Sequence, residues 1–175
     1  MDLGELLHLW HDFYLLIGTA AATLIGLMFV AASIAASTMT EQHKAGLKAF
    51  FSPTVVHFAA VLITCVVLSA PLRKWVTLGA LVLAVGAVGV GYSLTVWVRM
   101  GRGGFTAKID LADRFWYALS PVAGHLLVVV AGIAALLHNE HSLELLAIAI
   151  LLLLLAGLRN AWDITAWAVT RTGPG

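Results

Sequence analysis

The sequence predicts an all-α protein, a transmembrane bundle of five helices. Three observations lead there. Of 175 residues, 61% are hydrophobic and 11% are charged, whereas a soluble domain sits near half apolar and a quarter charged. Mean hydropathy is +0.98. The segments 13–37, 53–70, 75–98 and 121–137 carry no charged residue at all, and such runs are long enough to cross a hydrocarbon core of about 30 Å as helices. These runs are continuous rather than alternating, which selects helices that satisfy their own backbone groups in lipid.

The first helix is expected over about 2–37. Asp2 and Glu5 fit an aspartate variant of the capping box, in which the side chain three residues into the helix reaches back to the cap. The acidic start "MDLGELLHLWHDFY" has no basic leading region, so no cleaved secretory signal is expected. Within this helix Gly18, Ala22 and Gly26 form a stripe of small residues that permits close packing against another helix.

The second and third helices follow as one unit over about 40–100, the fourth and fifth as another over about 107–170. The stretch 145–158 is short for a span, so the fifth helix must run on through Arg159 to about Trp167. Lys44, Lys48, Arg99, Arg102, Lys108, Arg114, Arg159 and Arg171 all fall on one side of the predicted membrane, leaving Arg73 and Lys74 on the other. The positive-inside rule then places the N-terminus outside and the C-terminus inside. The whole chain, 1–175, reads as one transmembrane domain.

The two units look like an internal duplication. "SPTVVHF" at 52–58 returns as "SPVAGHL" at 120–126, and "YSLTVWV" at 92–98 matches "WDITAWA" at 162–168. Matches at both ends of two units favour a repeat. Serine suits an N-cap and proline the first helical position, so each Ser-Pro is expected to begin a helix.

Two groups of polar residues stand out. His57 and His125 each lie four residues past their proline, which gives them equal expected depth about 6 Å along the helix. Tyr92, Arg159 and Asp163 are expected near that level, with Arg159 and Asp163 spaced to pair on one helical face. Ionisable groups within a membrane tend to face the bundle interior and mark pathways. Polar side chains also simply hold membrane helices together. On the opposite face, His8 and His11, and likewise His138 and His141, have the i, i+3 spacing that lets two imidazoles share a zinc or copper ion. Outer histidines commonly just face water.

No cofactor is expected. Haem b, held by the opposed His57 and His125, and zinc or copper are the alternatives considered. Cys65 is the single cysteine, which leaves no intramolecular disulfide. "GRGGFTAK" at 101–108 lacks the ending of a phosphate loop, "HNEH" is not a zinc-protease motif and no nucleophile elbow occurs. No enzymatic activity is expected. The net charge of +1 gives no nucleic-acid partner.

With "WHDFYLLIGTAAATLIGLMFVAASI" at 10–34, "SPTVVHF" and "LRNAWD", the chain resembles a group of small bacterial integral membrane proteins to which no activity is assigned. The resemblance implies a multi-pass protein of the bacterial inner membrane. The functional expectation is a homo-oligomeric channel or transporter in the lipid bilayer. It would pass an ion, proton or small solute by way of His57, His125, Tyr92, Arg159 and Asp163. A non-conducting accessory protein is the alternative.

Overall fold

The computed structural model describes residues 2–38, 41–102 and 115–171. Side chains within 35–51, 99–102 and 167–171, and those of residues 118 and 164, are not described. Of the basic residues that set the expected orientation, Lys108 and Arg114 therefore lie outside the described residues, as do the side chains of Lys44, Lys48, Arg99, Arg102 and Arg171.

The described chain is all-α. It comprises α1 (Leu3–Thr38), α2 (Glu41–Ser69), α3 (Trp75–Arg102), a single π-helical turn (Phe115–Leu119), α4 (Ser120–Leu136) and α5 (Ser142–Arg171). Five of these segments are long and apolar enough to cross a membrane: Leu3–Ile34, Ser52–Ser69, Trp75–Val98, Phe115–Leu136 and Ser142–Asp163. The chain thus has the make-up of a multi-pass membrane protein.

Helices α2 to α5 close into a ring. The pairs α3–α4, α4–α5, α5–α2 and α2–α3 are all in contact, and α1 lies outside the ring against α2. Only 17% of the α1 span is buried, against 44% for α2 and 50% for α5, so α1 is a peripheral helix. Its hairpin-end half is nevertheless fixed. Leu3, Leu6 and Tyr14 are buried, and the Tyr14 hydroxyl donates to the Leu143 carbonyl at 2.6 Å.

The buried faces repeat at helical spacing: Thr54, His57, Phe58, Val61, Thr64, Cys65 and Leu68 on α2, and Leu146, Ala149, Ile150, Leu153, Ala156 and Asn160 on α5. Such a stripe at three- and four-residue spacing is the face by which a helix packs on its neighbours. The α3–α4 crossing is tighter still. A Cβ built on Gly86 would lie 2.8 Å from the Val129 nitrogen, and one on Gly132 would lie 2.8 Å from the Leu83 nitrogen. These glycines bring the two backbones together, as small residues do between membrane helices.

The expected small-residue stripe of α1 divides. A Cβ on Gly18 would meet Cys65 of α2 at 2.9 Å, so Gly18 does mediate packing. Ala22 is exposed, and Gly26 has nothing within 4 Å of a Cβ position. Gly18 and Ala22 also line an open groove of about 490 Å³ between α1 and α2.

The helix starts differ from expectation in an instructive way. Pro53 lies inside α2, which already begins at Glu41, so Ser52-Pro53 does not start that helix. In α4, Ser120 is the first residue, but its hydroxyl donates to the Trp116 carbonyl at 3.0 Å instead of capping, and the preceding Leu119 is itself helical. The π-turn Phe115–Leu119 leads directly into Pro121. A proline cannot supply the i→i−4 donor and crowds that carbonyl, and a local widening to π geometry is one way a helix continues through it. At the other end, Asp2 and Glu5 behave as half of a capping box: Glu5 Oε2 accepts from the Asp2 backbone N–H at 3.3 Å.

The hairpin after α4 is closed by a Schellman arrangement. The His138 N–H donates to the Ala135 carbonyl at 2.9 Å, and the Asn139 N–H donates to the Ala134 carbonyl at 3.0 Å. His138 has a φ of 58°, the left-handed conformation this helix stop requires.

Candidate functional site

At the end of the ring away from the hairpins, four helices turn polar side chains inward. Thr54 and His57 of α2, Ser93 of α3, Ser120 and His125 of α4, and Asn160 of α5 are all buried. Elsewhere the only other buried polar residues described are Thr64, whose hydroxyl is bonded to the Ala60 carbonyl, and Ser142. The polar lining is thus concentrated at one depth.

His57 and His125 meet at its centre, their ring centroids 5.5 Å apart and their planes inclined by 52°. Both rings are essentially inaccessible, at 2% and 0% exposure. His125 is held from two sides. Its Nδ1 lies 2.7 Å from the Pro121 carbonyl and 3.3 Å from the Ser93 hydroxyl. A carbonyl can only accept, so Nδ1 carries the proton, and Nε2 of the neutral ring is a bare acceptor. The ring lies directly against Gly89 of α3, where any Cβ would overlap Cδ2 and Nε2. Gly89 is the position that admits the imidazole, and Ser93, one turn on, orients it.

The open valences define what this arrangement can do. His125 Nε2, His57 Nδ1 and both side-chain polar atoms of Asn160 are buried without a hydrogen-bond partner. Each such group costs roughly 1–3 kcal/mol when left unsatisfied, so several in one chamber constitute a standing penalty that a guest with suitable chemistry relieves. The contact of Phe58 with Gly157 sets the antiparallel register of α2 and α5. That register puts Asn160 within about one turn of His57 in depth.

The structure unites part of the expected constellation. His57 and His125 come together. Tyr92 is half-buried, and its neighbour Ser93 is the residue that reaches His125. Arg159 and Asp163 pair with each other as expected, Nε to Oδ2 at 3.2 Å, a contact off the axis of a hydrogen bond. The Arg159 side chain is 45% exposed, however, while adjacent Asn160 points inward. Its partner Asp163 is only 25% exposed and the Asp163 Oδ2 is buried, so the ion pair runs from the outer face of α5 toward the protein interior.

On the hairpin side, His8 and His11 are exposed on α1, and His138 and His141 are exposed at the turn. His11 Nδ1 lies 3.1 Å from Asp12, and His141 Nδ1 lies 3.0 Å from Glu144. His138 packs edge-on to Trp75 at 6.1 Å. Among the described residues no three His, Cys, Asp or Glu side chains come together as a metal-holding group.

Gly89, Ser93 and Asn160 are the site residues that sequence reasoning missed. Ser93 and Asn160 were visible as polar residues a turn from a glycine, but each stands beside a more conspicuous neighbour, Tyr92 and Arg159 respectively. No family model, curated protein or solved structure matches the chain. The functional reading accordingly rests on the geometry of the chamber.

Proposed function

We propose that the protein is a multi-pass protein of the bacterial inner membrane that passes an ion, proton or small solute by way of the His57–His125 chamber. The observation that carries the reading is the pair of buried imidazoles in ring contact with open nitrogens, with a buried and unpartnered Asn160 at a similar depth on α5. Groups of this kind inside a membrane are expensive and characteristic of substrate pathways. The proposed orientation is N-terminus outside and C-terminus inside, which puts the chamber in the inner leaflet.

The reading includes an internal duplication of α2–α3 as α4–α5. Gly89 receives His125 and Gly157 receives Phe58, the neighbour of His57. Those glycines are 68 positions apart, two short of the offset of 70 at which "YSLTVWV" and "WDITAWA" match on the same two helices. A pathway at the interface of two repeats is a familiar transporter arrangement. The proposal also includes assembly into a homo-oligomer, with peripheral α1 the helix free to meet a second copy.

Proteoliposome flux tests the function. Wild-type protein should pass protons or a test ion faster than His57→Ala and His125→Ala variants reconstituted at equal density, and equal leak from all three would overturn the reading. One observation favours a second reading, that of a non-conducting accessory protein. On the hairpin side of the histidines the ring is filled by Val61, Val82, Val128 and Leu153, all essentially inaccessible. In that case the same substitutions would lower stability in detergent and leave flux at the background of empty vesicles.

A further inference from the structure

The chamber has a ligand chemistry more specific than its polarity. From the geometry we infer that His57 and His125 form a two-coordinate site for a soft monovalent d¹⁰ cation, Cu(I) or its analogue Ag(I), bound between the two imidazoles. The site stands whether or not the chain conducts.

Three features select this ligand. The first is the state of the donors. His125 commits its Nδ1 proton to the Pro121 carbonyl, so its Nε2 lone pair is presented, and that atom is buried without a partner. His57 offers a second open nitrogen, Nδ1, and the rings are close enough to act on one ion. With imidazole–metal bonds of roughly 2.0 Å, two end-on rings bridged by a metal have centres about 6 Å apart. The observed 5.5 Å is within a small rotation of that spacing.

The second feature is the charge of the surroundings. The buried polar side chains at this end of the ring, Thr54, Ser93, Ser120 and Asn160, are neutral, and the Asp163 carboxylate is already engaged by Arg159 at 3.2 Å. No carboxylate or thiolate joins the pair in a metal-holding group among the described residues. Cys65 lies eight residues beyond His57 on α2, about 12 Å along the helix, and cannot complete the same site. A dication in this neutral shell would leave two charges uncompensated in a low-dielectric interior. A monovalent cation leaves one, and its positive charge is spread onto two imidazoles.

The third feature is coordination number. Zinc sites use three or four protein ligands, and this chamber supplies two imidazoles and one amide. Imidazole suits copper, and linear two-coordination is ordinary for monovalent d¹⁰ ions. The Ser93 hydroxyl and Pro121 carbonyl stand behind His125 as the outer partners that fix a ligating ring.

The test uses the purified full chain in detergent, titrated anaerobically with Cu(I) against a colorimetric Cu(I) chelator, and in parallel with Ag(I). The expected result is one ion per chain. X-ray absorption should show two nitrogen ligands and no sulfur. His57→Gln and His125→Gln should each lower affinity by more than the roughly 10–100-fold typical of losing an outer partner. Ser93→Ala should fall within that smaller range. Cys65→Ser, and a variant lacking His8, His11, His138 and His141, should bind like wild type. Zn(II) should bind the wild type no better than the His57→Gln/His125→Gln double variant.

Sulfur in the coordination shell, binding that survives the double variant, or zinc held as tightly as Cu(I) would each overturn the assignment. So would wild-type protein that takes up no ion, which would mean that the two rings satisfy each other. If the histidine variants do not fold, the wild-type coordination spectrum decides alone. Wild-type protein that binds Cu(I) but gives no flux above empty vesicles would sink the transport reading and leave this site standing.

Discussion

His57 and His125 face each other with ring centres 5.5 Å apart, yet the two rings are not equivalent. Each lies four residues beyond a proline, but only His125 returns its Nδ1 to that proline's carbonyl, at 2.7 Å; His57 Nδ1 has no partner. One ring is therefore locked in tautomer and orientation, and the other is free to choose. A guest between them meets a fixed acceptor on one side and an adaptable group on the other.

Gly89 should be intolerant of any side chain. Its Cβ would overlap His125, and relief requires that ring to leave its Pro121 and Ser93 partners. Gly89→Ala is expected to cost about 1–3 kcal/mol, the range for overpacking a filled core. Gly26→Ala, where a Cβ meets nothing within 4 Å, should be neutral. Thermal unfolding of both variants in the same detergent checks the contrast.

Asn160 separates stability from function. Both of its polar atoms are buried and unpartnered, so Asn160→Leu removes a penalty without opening a cavity. A gain of ~1 kcal/mol is expected, together with slower proteoliposome flux. A variant that is both less stable and unchanged in flux would contradict the role given to the chamber.

Tyr14→Phe removes the hydroxyl that bonds the Leu143 carbonyl at 2.6 Å. The loss should be about 0.5–1.5 kcal/mol. Because this bond ties peripheral α1 to the start of α5, limited proteolysis should detect earlier release of the first helix.

Arg159 and Asp163 should behave as a unit. Either single alanine variant leaves one charge on α5 without its partner at 3.2 Å. A double-mutant cycle is expected to return a coupling on the order of 1 kcal/mol.

The proposed orientation has a direct check. In a Cys65→Ser background, Asn139→Cys in the second hairpin should react with a membrane-impermeant maleimide added outside spheroplasts. Labelling only after lysis would reverse the assignment.

The five spans were legible because hydropathy alone marks them, and His57 and His125 because a histidine in an apolar run is conspicuous. The faces of the helices were not legible. In lipid, outward residues such as Leu16, Val66 and Val88, all more than half exposed, are as apolar as the core, so no amphipathic stripe shows which side is in. Asn160 is explained only once Leu146, Ile150 and Leu153 are known to face inward on the same helix. Arg159, one residue away, consequently faces outward and leaves the expected constellation. The first Ser-Pro pair was misread because a rule for helix starts was applied where a long helix continues through its proline, as Pro53 does in α2; at the second, Ser120 does begin α4, though without capping it.

The glycine contacts between α3 and α4 carry a mechanical consequence. With backbone nitrogens 2.8 Å from would-be Cβ positions at Gly86 and Gly132, these two helices form a plate that cannot shear without collision. The plate joins α3 to α4 and so bridges the two units of the proposed duplication. Gly89, Ser93 and His125 all ride on the plate and keep their relative positions. His57 and Asn160 are on the facing pair, α2 and α5. On the proposed function, a motion that opens the site would pull the histidines apart across that seam, which makes their separation the quantity to follow.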